Sequence, residues 1–428
     1  PYGSSLSTTS GSSPCEPSAK IKRRWDVDLG TRITQPVVVG DKVFVAAPET
    51  HSILCLNAKN GAILWASTSG GRIDTPPTYY RGTLLFGSAD GWVYSVDSAT
   101  GKLRWRFRCA PEERRIGSFG QLESAWPVAG SILVKDDIAY AAAGRSSLID
   151  GGIHLYALNP ETGKELHHVV ISEPPVPGED QKGTTYFFPG VQSDVLVSDG
   201  ENIYLRHRKF SPTLESLKTD HIKTEHLSFL RKTGLRLYAS SGFTDDSFNN
   251  RVYWLVGENY GNIMAFDAAT TFGVKMYRRR RAGQFWSLDF VPAQDGYLIY
   301  SAPSREMEKK ITESGTTMKI EGPGAFFTGL NEKHIWDATV PVRIQAMAAA
   351  DKTLWVAGPP DVVDKEDPYG AYEGRKGGIV AAFAKDSGKK LTEFKIDSPP
   401  IFDGISIAGN RVYLSLKDGT LVCLGQNN

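Results

Sequence analysis

Cysteine is scarce: four in 428 residues, no two of them adjacent, too few and too scattered to staple a fold. Cys15, Cys55, Cys109 and Cys423 obey no spacing rule that would pair them, and Cys55 and Cys423 read as buried free thiols in strands. No C-x-x-C-H offers an attachment point for haem. H-E-x-x-H, a phosphate loop and a Ser-nucleophile elbow are also missing. The eight histidines show no metal-ligand spacing beyond the adjacent pair His167 and His168. Neighbours along a strand face opposite sides, so that pair cannot share one ion without distortion. Charge of one sign is not in excess either. Lys plus Arg total 49 against 48 acidic residues, which gives no field to attract nucleic acid, and no nucleic-acid partner is expected. The local basic runs RHRK (206–209) and RRRR (278–281) read as partly buried channel residues and a solvated outer strand. No apolar run reaches membrane-spanning length, and no basic-then-apolar leader begins the chain. Residues 1–20, rich in serine, read as a flexible linker or processed end.

What is present is a repeated phrase. VYSVDSATGKLRW (93–105) has an earlier copy, ILCLNAKNGAILW (53–65), and a later one, HLYALNPETGKEL (154–166). Each places two alternating runs around a turn opened by Asp or Asn and closed by glycine, the signature of a hairpin. The second run ends in a large aromatic, Trp65 or Trp105, whose flat face can cover the neighbouring unit. Two more short runs precede each phrase, so every unit carries four antiparallel strands.

Four-stranded units recurring every ~40 to 50 residues specify propeller blades. The first three copies run through 35–65, 74–105 and 123–169, with His167 in the aromatic position of the third. The fourth joins 191–207 to 227–240, and the fifth spans 251–277 with Tyr277 in place of Trp. A sixth joins 286–303 to 324–340, and a seventh joins 344–358 to 377–394. The eighth, 399–425, ends after its third strand. KRRWDVDLG (22–30) looks like the missing outer strand, with Trp25 in the aromatic position. The expected fold is therefore all-β, an eight-bladed propeller over 21–428 as a single domain, closed by an N-terminal strand that completes the last blade. Charged, Pro- and Gly-rich segments at 173–188, 306–324 and 359–376 read as loops projecting from the faces.

The D-x-x-T-G-K-x-x-W phrase resembles the repeats of quinoprotein alcohol dehydrogenase-like propellers, called PQQ-like after pyrroloquinoline quinone. The resemblance covers most of the chain from about Trp25, is strongest over the first three units and is weak in the sixth. It specifies fold better than function. The family includes quinone-dependent dehydrogenases, a periplasmic lipoprotein of the outer-membrane assembly machinery, and secreted modules at the ends of larger multidomain bacterial proteins. GRIDTPPTYYRGTLLFGSADGWVYSVDSATGKLRWRF, QLESAWPV and VQSDVLVSDGENIYLRH resemble the secreted modules, which implies a periplasmic or extracellular location within a longer parent chain. The quinone enzymes hold the cofactor between a Trp and a ring of two adjacent cysteines, with a calcium-held carboxylate nearby. This chain has no adjacent cysteines, so neither PQQ nor calcium is expected.

Polar residues fall where alternation places the entrances of innermost strands: Arg72, Asp74, Glu123, Trp126, Arg145, Asp150, Gln192, Asp194, His207, Asp245, Asp246 and Gln345, with Gln121 beside them. In a propeller such positions from several blades converge on one channel mouth. Burying so many ionisable groups is costly unless they pair with each other, with water or with a ligand. The expected site is a polar pocket with Arg72, Glu123, Arg145, Asp194 and His207 at its core. The favoured function is a binding module for a polar small molecule, a glycan or another protein. Its alternative is a carbohydrate-active enzyme of lyase or hydrolase type, since separated carboxylates can work as acid and base.

Overall fold

A computed structural model describes residues 21–118, 120–172, 193, 195–198, 200–206, 208–217, 235–239, 252–256, 259–261, 263–267, 269–275, 291–303 and 334–426. The chain divides into two compact units. One comprises 1–3, 39–229 and 235–252, the other 4–38, 230–234 and 253–428. Among the described residues every regular element is a strand except the 3-10 turn Pro48–Thr50, and seven sheets have four strands. Among the described residues the strand pairings are antiparallel, the blade motif of a β-propeller.

The repeated phrase folds as its residues dictate. Asp97 Oδ1 accepts from the backbone N–H groups of Ala99 and Thr100 at 3.0 Å each and from the Thr100 hydroxyl at 2.9 Å. Gly101 closes the turn at φ +70°, and its N–H returns to the Asp97 carbonyl. In the next copy Asn159 takes the place of Asp97, accepting from Glu161, Thr162 and the Thr162 hydroxyl. The aromatic that ends each phrase stands opposite a small residue: Trp65 opposite Cys55, Trp105 opposite Ser95, Trp336 opposite Ser301 and Trp25 opposite Cys423. Cys55 and Cys423 are therefore small, fully buried neighbours of an indole, and Cys55, Cys109 and Cys423 are free thiols.

Burial follows strand rank within each sheet. Thr83–Gly87 is buried along its whole length, whereas the outer strands Ile63–Thr68 and Leu103–Arg108 alternate exposed and half-buried positions. The strand Lys22–Asp28 is the outer member of the sheet built from Pro400–Ala408, Arg411–Leu416 and Thr420–Gly425. Trp25 is buried there, 6.0 Å from the Tyr413 ring.

The middle of the chain departs from the expected blade boundaries. Gln121–Ser124 pairs with Arg115–Ser118 as a separate hairpin, and the third sheet begins at Leu133–Lys135 instead of near Glu123. The fourth sheet is compact, Leu196–Ser198, Ile203–Leu205, Arg208–Phe210 and Ser216–Leu217, and Leu235–Ala239 is not among its strands. Leu235–Ala239 instead joins Val252–Val256 and Asn259–Gly261. Met264–Phe266 and Thr270–Lys275 start the next sheet, which ends with Tyr297–Pro303 and Trp336–Val340. Its aromatic position is held by Trp336, whose indole N–H donates to the Lys385 carbonyl at 2.7 Å. The loop 359–376 lies between Thr353–Gly358 and Gly378–Ala384 as expected. The segments 173–188, 306–324 and 278–281, together with Cys15 and Tyr277, lie outside the described residues.

Candidate functional site

The candidate residues of the first compact unit are positioned by backbone bonds between successive repeats. Arg72 sits in the loop leaving the strand Ile63–Thr68, and its carbonyl accepts from Ala89 N at 2.8 Å. The Ala89 carbonyl in turn accepts from Ser124 N at 2.8 Å, next to Glu123. The Ser88 hydroxyl donates to the Gly71 carbonyl at 3.1 Å and ties the same loop from the other side. Segments distant in sequence are thus laid side by side, and Asp90 Oδ2 also accepts from Gly70 N at 3.0 Å.

On this frame Arg72 meets two carboxylates. Its Nε donates to Asp74 Oδ1 at 2.6 Å, and its Nη2 stands 3.2 Å from Glu123 Oε2. Burial by itself lowers the Arg72 pKa, and the hydrogen bond and charge of Asp74, then Glu123, outweigh it and raise the net value. Glu123 is only 5% exposed and Arg72 10%. A carboxylate that deep is tolerated because a guanidinium faces it.

A second group surrounds Asp150, held in a left-handed conformation at φ +56°. Arg114 engages one of its carboxylate oxygens and Arg145 the other. The Asp150 carbonyl accepts from Trp126 Nε1 at 2.8 Å, and the Arg114 guanidinium lies over the Trp126 ring at 4.7 Å. Arg145 Nε is buried with no hydrogen-bond partner among the described residues. The hairpin Arg115–Ser118 with Gln121–Ser124 joins the two groups, because Glu123 lies on it while Arg114 and Trp126 flank it. Burial falls from the first group to the second, from Glu123 to Arg145 at 37% exposed and Arg114 at 45%.

Six of the twelve expected residues therefore fall into two linked groups: Arg72, Asp74, Glu123, Trp126, Arg145 and Asp150. Gln345 lies in the other compact unit, where its N–H donates to the Ala357 carbonyl and its own carbonyl accepts from Asp403 N. Its Oε1 is buried without a partner among the described residues. Gln192, Asp194, His207, Asp245 and Asp246 lie outside the described residues. Arg206, beside His207, is buried with φ +52°.

Sequence reading misses Arg114, one of two adjacent arginines whose pattern resembles any solvated turn. It also misses the Tyr94 hydroxyl, which donates to Asp90 Oδ2 at 2.5 Å. Burial and then that carboxylate push the Tyr94 pKa up to about 12. Gln121 Oε1 accepts from His51 Nε2 at 2.8 Å. Chemically, every carboxylate of the two groups is engaged by a guanidinium. The arrangement offers hydrogen-bonding edges, with Arg114 and Arg145 at its open side, for a polar or anionic group.

Comparison with known proteins gives one family and several relatives. The family described as outer membrane protein assembly factor BamB matches residues 22–271. The dehydrogenase subunit of a quinone alcohol dehydrogenase from Gluconobacter oxydans is 30% identical over 112 residues, covering 23% of this chain and 15% of that protein. Quinohemoprotein alcohol dehydrogenase ADH IIB from Pseudomonas putida is 26% identical over 174 residues, 31% of this chain and 25% of that protein. The chain thus spans a quarter or less of the length of these two relatives. The crystal structure of quinohemoprotein alcohol dehydrogenase from Comamonas testosteroni shares the fold, with a TM-score of 0.52, 12% identity, and 96% of this chain against 77% of that one.

Among the described residues the donor set does not match the adjacent cysteines and calcium-held carboxylate that a quinone site of the resembled type implies. The described cysteines are single buried thiols in separate segments, and the Asp and Glu of the two groups are engaged by arginines. Among the described residues no group of three or more His, Cys, Asp or Glu is placed to hold a metal ion.

Proposed function

The chain belongs to the family described as outer membrane protein assembly factor BamB, and on that premise we propose that it is a binding module of a larger secreted bacterial protein. In this reading 21–428 is a single eight-bladed propeller, with the strand Lys22–Asp28 closing the ring through its pairing to Thr420–Gly425. The location is periplasmic or extracellular. No helix among the described residues is long and apolar enough to cross a membrane. The ligand is a polar small molecule, a glycan or a polar patch on a protein, received by the arginines around Asp150.

The observation that carries this reading is the arrangement Arg114–Asp150–Arg145 over Trp126. Two guanidiniums share one carboxylate, and both are part-exposed, Arg114 at 45% and Arg145 at 37%. Such a shared pair retains donor capacity on its open side, and an indole beside it supplies a flat contact surface. The dehydrogenase names of the relatives favour quinone oxidation as a second reading, which the donor set does not support. No observation favours the carbohydrate-active alternative.

Two measurements test the proposal. Calorimetric titration against a panel of anionic and neutral glycans and acidic peptides should give a ligand whose binding is lost in Arg145→Gln. Incubation with quinone and calcium followed by desalting should leave no cofactor absorbance. A panel without any ligand that separates wild type from Arg145→Gln removes the binding site, and retained quinone restores the oxidoreductase reading.

A further inference from the structure

The adjacent histidines His167 and His168 do not share a face, but His168 meets a different histidine across the sheet. His154 lies on Ile153–Leu158 and His168 on the outer strand Glu165–Ile171, in the register Tyr156 opposite His168 and His154 opposite Val170. Alternation places His154, Tyr156 and His168 on one face, and His167, opposite Ala157, on the other. The two imidazoles are 14° from parallel with centroids 5.2 Å apart, and His154 Nδ1 stands 3.1 Å from His168 Nε2. Diagonal neighbours of this kind are within reach of each other in an antiparallel pair.

Tyr156 fixes the geometry. Its ring stacks on His168 at 4.2 Å and 3°, and Phe107 meets Tyr156 edge-on at 5.2 Å and 70°. His168 is exposed, yet its plane is set by a buried aromatic, while His154 is half-buried beside it.

We propose that His154 and His168 form a two-nitrogen chelate for a divalent transition-metal ion of the Cu2+, Ni2+ and Zn2+ class. Imidazole–metal bonds are about 2.0–2.1 Å, so two of them at about 90–110° hold their nitrogens about 2.9–3.4 Å apart. The observed 3.1 Å falls inside that bite. In the metal-free neutral pair one ring donates its N–H to the other. On binding, that proton moves through solvent to the far nitrogen of the same ring, so both facing lone pairs reach the metal and the pair releases no net proton. With no third protein ligand among the described residues, the remaining positions go to water or to an exogenous donor. Affinity should then follow ligand type and metal, with Cu2+ above Ni2+ and Zn2+, and Ca2+ and Mg2+ excluded by their preference for oxygen.

The whole chain titrated with CuCl2, NiCl2, ZnCl2 and CaCl2 tests this. Wild type should bind Cu2+ with a paramagnetic resonance spectrum of two-nitrogen coordination. His154→Gln and His168→Gln should each weaken that binding by about tenfold or more, while His167→Gln, on the opposite face, leaves it unchanged. Melting temperatures without metal should match wild type for His168→Gln, which identifies the loss as one of ligation. The proposal is overturned by equal Cu2+ binding in wild type and in the His154→Gln/His168→Gln double variant, or by a larger loss in His167→Gln than in His168→Gln.

Discussion

Trp105 lies flat against Gly163 and donates its indole N–H to the carbonyl of Pro160, three residues earlier, at 3.1 Å. A Cβ on Gly163 would come within 2.6 Å of Trp105 Cε3, and the glycine is left-handed at φ +72°. Trp336 repeats the relationship with Gly388 and the carbonyl of Lys385. The aromatic at the end of one repeat therefore locks onto the glycine turn of the next, and this is why the phrase keeps Trp and Gly together.

Gly163→Ala should accordingly cost about 2–5 kcal/mol, the sum of a left-handed alanine and an overpacked indole. Gly82→Ala supplies the control, since Gly82 is also left-handed at φ +81° but has open space around its α-carbon. Urea unfolding should show a clearly smaller loss for Gly82→Ala. Equal losses would mean that the Trp contact contributes nothing.

Deletion of residues 1–30 should destabilise far more than deletion of 1–20. The longer deletion removes Lys22–Asp28, strips the hydrogen-bonded neighbour from Thr420–Gly425 and exposes the Trp25 side of Tyr413. Loss of a buried Trp alone costs about 3–5 kcal/mol. Thermal melts of the two truncations read the difference, and coincident melts would contradict a structural role for the strand.

The fold was legible where local chemistry repeats. Asp97 and Gly101 write a turn, Trp65 and Trp105 mark the outer strands, and alternation gives each sheet its faces. It was not legible where strands shorten to two or three residues, as in Arg208–Phe210 and Ser216–Leu217, because so few positions carry no period. The hairpin Arg115–Ser124 was missed for a related reason, its alternation being too short to separate from a loop. Asp150 and Arg145 were visible as charges near a glycine turn. That Arg114 completes the group was not, since only the fold brings residues 36 apart into contact.

Stability should fall on the alkaline side. Burial pushes the thiol of Cys55 up to about 12 and that of Cys423 up to about 11, and it pushes the Tyr413 hydroxyl up to about 12. The folded chain holds these protons more tightly than the unfolded one. The resulting stabilisation is full below the unfolded values, 9.0 for the thiols and 10.0 for tyrosine, and is lost as pH climbs toward the folded ones. Urea midpoints should hold to about pH 9 and decline steadily above it, with iodoacetamide reaching Cys55, Cys109 and Cys423 only after unfolding. A midpoint flat to pH 11, or rapid labelling of those three in the native state, would contradict the burial argument.

Glu123 and Arg145 should separate structural pairing from ligand recognition. Glu123 is 5% exposed and faces Arg72, so Glu123→Gln leaves a buried guanidinium with Asp74 as its main counter-charge. Removing one member of such a pair costs about 3–5 kcal/mol when it is fully buried, and the partial exposure of Asp74 lets water offset part of that, so about 1–3 kcal/mol is expected. Arg145 is 37% exposed, and Asp150 keeps Arg114 when Arg145 is replaced, so Arg145→Gln should cost under about 1 kcal/mol. Recognition should divide in the opposite sense. Arg145 is part-exposed beside Arg114, so its replacement should abolish ligand binding with the melting temperature nearly unchanged. Glu123→Gln should lower stability first and affect binding only through the position of the hairpin. If Arg145→Gln destabilises as much as Glu123→Gln and every ligand bound by wild type still binds, the Asp150 group is an internal brace between repeats and the recognition site lies elsewhere.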